Sequence, residues 1–225
     1  MKYCLLMSFI FFSCSAISQD SPSGNNKETA YDITINNRAQ KIVDKLNISD
    51  IGKATLVKNI IAAQYKNLNE VYTSRDLLIK SQKDKVAGTS KESINAAADK
   101  IKLETDNQTG LLHTKFIADL SASLTPVQVD MVKDGMTYGV LHVTYKGYNN
   151  MITNLTDKQK EQIMTWLTEA RELAMDAESS EKKHACFGKY KGRINNYLSA
   201  AGYDLRKEGE AWQQRIKAAA EKQKK

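Results

Sequence analysis

Proline and cysteine are scarce here: two prolines and three cysteines in 225 residues. Cys4 and Cys14 fall within the first eighteen residues, which leaves Cys186 alone in the rest of the chain. An internal disulfide framework and a cysteine-rich zinc site are therefore excluded by number. The three histidines, His113, His142 and His184, are never three or four residues apart, so no helical metal pair exists. His184 and Cys186, two residues apart, point to different faces of a helix. No metal and no cofactor is expected. Past residue 18, no apolar run approaches the roughly 20 residues that a membrane span needs. Pro126 is the one proline after Pro22, so little stands in the way of long helices.

The front of the chain, "MKYCLLMSFIFFSCSAISQD", has a basic residue at Lys2, an apolar stretch from Leu5 to Phe12, and small residues at Ala16 and Ser18. This pattern predicts a signal peptide over 1–18, hence an exported protein, periplasmic or extracellular. Acylation of Cys14 is the weaker alternative, because Phe11-Phe12-Ser13 before it is bulkier than a lipoprotein signal usually shows. Residues 19–30, polar and containing Gly and Pro, read as a disordered linker. Residues 31–225 read as a single helical domain. The formal net charge is +7, but the charges are interspersed, and the clearest cluster is the tail "KAAAEKQKK". Export also argues against nucleic acid as a partner. An acidic glycan or an anionic membrane surface stays open.

What is present is helical periodicity. Ile35, Ala39, Ile42, Val43 and Leu46 keep one face. Ser49 or Asp50 can cap a long second helix with a stripe through Val57, Ile61, Tyr65, Leu68, Tyr72, Leu78 and Ile79. Thr89 and Glu92 make a capping box for a third helix, which the polar "ETDNQTG" is expected to interrupt. Two near-repeats, "SLTPVQVDMV" and "NLTDKQKEQI", share Leu-Thr-x-x-Gln. Thr125 with Gln128, and Thr156 with Gln159, each fit an N-cap and its third-residue partner, and Pro126 suits the first helical position. The phrase therefore reads as helix punctuation without chemistry. Between the two caps, "GMTYGVLHVTYKGYNNMITN" alternates in a way that permits an extended segment. A kink after Met136 and a short helix around Thr144–Ile152 are expected. Further stripes follow through Ile163, Leu167, Ala170 and Ala174, then through Phe187, Tyr190, Ile194 and Leu198. Gly202 suits a helix end and Asp204 a last cap. The expected fold is all-α, an irregular bundle of about seven or eight helices.

The block "LTPVQVDMVKDGMTYGVLHVTYKGYNNMITNLTDKQKEQIMTWLTEARELAMDAESSEKKHACFGKYKGRINNYLSAAGYDL", with the upstream "RAQKIVDKLNISDIGKATLVKNIIAAQYKNLNEVYTSRD", resembles a family of exported Bacteroidota proteins that share a domain of unknown function. That resemblance implies frequent encoding among polysaccharide-utilisation genes, and no established catalytic residues. The paired Leu-Thr-x-x-Gln phrases are also similar, more loosely, to helical periplasmic stress chaperones and metal sensors.

Carboxylates are plentiful, among them Asp130, Asp134, Glu161, Glu169, Glu172, Asp176 and Glu178, but spacing selects no pair for glycosidase chemistry. Tyrosines concentrate towards the C-terminus, and their apolar faces and polar tips suit sugar rings. The candidate ligand-binding residues are Tyr138, His142, Tyr145, Tyr148, Lys189, Tyr190 and Arg193, the same tyrosines also fitting core stripes. The resulting expectation is a non-catalytic accessory protein that binds a ligand linked to glycan use. A chaperone-like binder of protein clients is the second expectation and a glycan-active enzyme the third.

Overall fold

The computed structural model describes residues 29–85 and 91–223, and these form eight helices and no strand. The expected leader over 1–18, Cys14, residues 19–28 and the expected cap at Thr89 lie outside the described residues. Among the described residues, no helix is long and apolar enough to cross a membrane.

Helix α1 (Ala30–Val43) begins at Thr29, whose hydroxyl accepts from the Asp32 amide while Asp32 reaches back to the Thr29 amide. Thr29 and Ala30, placed in the linker by composition, thus start the first helix. Asp50 caps α2 (Ile51–Lys85) by accepting from the Lys53 amide. At 35 residues α2 is about 52 Å long, and α3 (Lys91–Ser121) packs along it. The polar middle of α3 does not interrupt the helix. The Thr105 and Thr109 hydroxyls donate to carbonyls four residues back, so they are satisfied without breaking the turn.

The two Leu-Thr-x-x-Gln phrases start α4 (Pro126–Met136) and α6 (Asp157–Met175), each with both bonds of the capping box formed. Each glutamine also reaches a distant segment. Gln128 donates from Nε2 to the Leu46 carbonyl just after α1. Gln159 accepts through Oε1 from the Tyr203 hydroxyl ahead of α8. The punctuation therefore doubles as a tether, fixing where α1 ends and where α8 (Leu205–Gln223) begins.

Between α4 and α5 (Val140–Met151) the irregular stretch is three residues long, with Tyr138 at φ 60° and Gly139 at φ 66°. The expected kink after Met136 is present, but the extended segment that the alternation permits does not form, and the helix expected around Thr144–Ile152 starts four residues earlier. Two successive left-handed residues confine the reversal. Helix then resumes at once, because Leu141, Tyr148 and Ile152 can be buried against α6 only at helical spacing. Helix α7 (Ser180–Ala200) returns along α6, and Gly202 at φ 95° closes it.

Two apolar clusters hold these helices. One joins α1, the first half of α2, the end of α3 and α4 through Ile42, Val57, Ile61, Phe116, Leu120, Val132 and Met136. Gly135 lets α1 and α4 approach closely, since a Cβ there would sit 2.8 Å from Ile42 Cγ1. The other joins α5, α6 and α7 through Leu141, Ile163, Leu167, Phe187, Ile194 and Leu198. Met175, at the end of α6, packs into the first cluster, whereas Ala170 and Ala174 pack into the second. The last third of α6 is thus shared by both.

Candidate functional site

Where α6 passes between the clusters, the contacts become polar. Arg171 is only 6% exposed. Its guanidinium donates to Asp130 at 2.7 Å and Asp134 at 3.0 Å on α4, while its Nε has no partner. The second carboxylate oxygen of Asp134 pairs with His142 Nε2 at 2.7 Å. Next to them Lys133 pairs with Glu172 at 2.9 Å, and one turn farther along α6 His113 Nδ1 meets Asp176 at 2.7 Å. Asp176 also accepts from Gln64 through its side chain and from the Tyr72 hydroxyl through its carbonyl. Arg75 and Glu178 continue the line as an ion pair. Lys183, also 6% exposed, turns back from α7 and donates to the Ala174 and Met175 carbonyls, completing the C-terminus of α6. Burial lowers its ammonium pKa to about 8.

His113 gives this seam a pH dependence. Its hydrogen bond to Asp176 raises its pKa, reinforced by the Asp176 and Glu172 charges and opposed by burial and by Lys133. The folded state therefore holds this proton more tightly than the unfolded chain does. Its stabilisation is complete below the ordinary histidine pKa of about 6.5, and it fades as pH rises through the raised folded value. Chemical denaturation at pH 6 and pH 8 is expected to show His113→Gln removing a loss of at most about 1.5 kcal/mol, the scale of one partly exposed charge-assisted bond.

Beside the seam lies a cleft of about 550 Å³, lined by Arg38, Lys41, Lys45, Tyr65, Met131, Gly135 and Tyr138, and also by Asp134, which the cleft and the seam share. Arg38 and Lys41 are exposed on α1 and Lys45 in the turn that follows it, and among the described residues none of the three forms an ion pair with a carboxylate. Tyr65 is half-buried, its phenol pushed up to about 12 by desolvation, so it stays neutral. The Tyr31 hydroxyl donates to the Tyr65 carbonyl and ties α1 to α2 here. Tyr138 is half-exposed, and its ring stacks on His184 with centroids 5.8 Å apart and planes at 18°. A left-handed conformation costs a non-glycine residue about 1–2 kcal/mol, so the Tyr138 ring is held at the rim of the cleft against a backbone preference.

The candidate binding residues occupy four places. Tyr138 lines the basic cleft, and His142 is tied to Asp134 in the seam beside it. Tyr145 lines a shallow trough along α5 and α6. Tyr148 is buried, its hydroxyl donating to Asn195 Oδ1 at 2.7 Å, and it belongs to the second core cluster. On α7, Arg193 sits 4.5 Å above the Trp166 ring and 3.7 Å from Glu169, with Tyr190 beside the same carboxylate, while Lys189 is exposed. These residues do not converge on one surface.

Arg38, Lys41 and Lys45 went unremarked in the sequence, although i, i+3, i+7 spacing puts them on one helical edge. Arg171 and Lys183 carried a plainer signal. Arg171 lies four residues after Leu167 on the α6 stripe, and Lys183 four before Phe187 on the α7 stripe, so both charges fall where apolar residues belong. Among the described residues, no group of histidine, cysteine and carboxylate side chains is arranged to hold a metal ion.

No curated protein matches this chain. A family model does, over residues 33–218, which takes in the cleft, the seam and both clusters. Its description is a protein of unknown function, DUF3826, and the chain belongs to that family.

Proposed function

We propose that this is an exported, non-catalytic binding protein whose ligand is an acidic saccharide seated in the cleft between α1, α2 and the α4–α5 turn. One observation carries the reading: Arg38, Lys41 and Lys45 line a cleft together with two tyrosines, with no protein carboxylate pairing the cations among the described residues. Unpaired cations supply charge-assisted hydrogen bonds to an acid, and tyrosine rings supply apolar faces for a sugar. Asp134, the one carboxylate in the lining, already serves Arg171 and His142, which suits binding rather than proton transfer. The resemblance to exported Bacteroidota proteins encoded among polysaccharide-utilisation genes points the same way.

The test is calorimetric titration with acidic and neutral oligosaccharides of equal length. Acidic members bind, neutral ones do not, and Arg38→Gln with Lys41→Gln weakens binding at least tenfold, the scale of one charge-assisted contact. Tyr138→Gly, which relieves the left-handed strain, raises stability by about 1 kcal/mol while weakening the ligand. Equal affinity of the double variant and the unaltered protein would refute the assignment.

Leu77, Leu78, Leu103 and Leu111, all exposed on the α2–α3 hairpin, favour client binding as the second reading. Suppression of aggregation of an unfolded protein at substoichiometric amounts, lost on replacing those leucines with serine, would establish it.

A further inference from the structure

The geometry points to a ligand with at least two acidic groups spaced along an extended backbone, an acidic oligosaccharide rather than a single acidic sugar. This deepens, and rests on, the binding reading above. Arg38 and Lys41 lie one turn apart on α1, a rise of about 4.5 Å, and Lys45 follows in the closing turn, where its amide donates to the Ile42 carbonyl, about 10 Å along from Arg38. They form a row parallel to the helix axis, not a nest closing on one point. A lone carboxylate can sit against one of these heads, or between two, and leaves the far cation of the row uncompensated. A ligand with acids about 5–10 Å apart reaches both ends.

The remaining walls agree with this length. The cleft of about 550 Å³ is in the range that takes an organic ligand of several rings or chains, and is far larger than an inorganic anion fills. Tyr65 and Tyr138 line the same cleft as the cationic row, where a ring between two acidic groups meets an aromatic surface. Tyr138 is positioned there by consecutive left-handed residues and by the His184 stack, so its place at the rim is set by backbone as well as by packing. Three cations along one short helix and its closing turn are too few for a nucleic-acid track, and the tyrosines in the lining favour a ligand that lies in the cleft over a flat membrane surface.

The experiment is calorimetry at fixed low ionic strength with mono-, di-, tri- and tetragalacturonate, and with a tetradeoxynucleotide as a charged chain of different chemistry. Affinity is expected to rise at least tenfold from the monomer to the trimer and then level off. That step exceeds the few-fold gain that repeated identical units give by statistics. Lys45→Gln, at the far end of the row and exposed, should cut trimer affinity at least fivefold more than monomer affinity. A monomer that binds as tightly as the trimer would overturn the extended ligand while leaving the cleft as a site for a single acid. Equal binding of the tetradeoxynucleotide would overturn the saccharide assignment in favour of charge alone. Absence of binding by every galacturonate would refute both this inference and the reading it rests on.

Discussion

Replacing Arg171 with alanine is expected to lower the unfolding free energy by about 3 kcal/mol, read as a shift of the urea midpoint with unchanged slope. The guanidinium is almost wholly buried and joins α6 to Asp130 and Asp134 on α4. Without it, Asp134, whose side chain is 19% exposed, keeps a charge in a partly dry site with only His142 beside it. Removing one partner of a buried pair costs about 3–5 kcal/mol. The lower end applies here because one donor, Arg171 Nε, is already unpaired in the native state. Asp130→Asn serves as the contrast: its carboxylate is 57% exposed, so the same bridge broken from that side costs less than about 1 kcal/mol. Since a domain of this kind is stable by about 5–15 kcal/mol in all, the arginine variant loses a substantial share. A shift below about 1 kcal/mol for Arg171→Ala would show that the seam does not hold the two clusters together.

The second large effect is alkaline. Burial lowers the Lys183 ammonium to about 8 in the folded protein, against about 10.4 in an unfolded chain. Between those values the unfolded chain binds the proton more tightly, so raising the pH strengthens the fold, by about 3 kcal/mol across the full interval. Deprotonation leaves two N–H bonds on the amine, enough for both the Ala174 and Met175 carbonyls, so the contact survives the change. The tyrosines act in the opposite direction above pH 10. Tyr65, Tyr72 and Tyr148 are all raised to about 12, chiefly by desolvation, and unfolding frees them to ionise. The rise belonging to Lys183 is therefore isolated as the difference between the unaltered protein and Lys183→Met from pH 8 to pH 10. The unaltered protein gains on the variant across that range. Parallel curves would mean that the amine is solvated in the folded state.

Much of the fold was legible because its signals are local. Thr125 with Gln128, Thr156 with Gln159, Gly202 and Asp204 each mark a helix end through atoms within a few residues of one another, and the α6 and α7 stripes recur at fixed spacing. At the α4–α5 corner the kink was legible, but the start of α5 was not, for a physical reason. Tyr138, Val140 and His142 alternate like a strand, but what decides their conformation is the surface offered by α6 and α7, which adjacent residues do not encode. The ligand candidates dispersed for a related reason. A tyrosine on an apolar stripe has the same local appearance whether it packs inward, as Tyr148 does, or stands at a cleft, as Tyr138 does. The cationic edge of α1 was visible as spacing, but its meaning depends on which carboxylates approach it, and that is settled by α2 and α4. Arg171 was the clearest missed clue, a charge written into a row of leucine and alanine.

The polar seam also restricts how the two oily clusters can be seated. Hydrocarbon surfaces tolerate sliding, since one methyl group is much like the next. A guanidinium facing two carboxylates does not: advancing α6 by a single turn carries Arg171 about 5.4 Å past Asp130 and Asp134 and strands three charges opposite side chains that cannot answer them. Greasy contact supplies the adhesion, and the ionic row fixes the one alignment in which the bundle can lock.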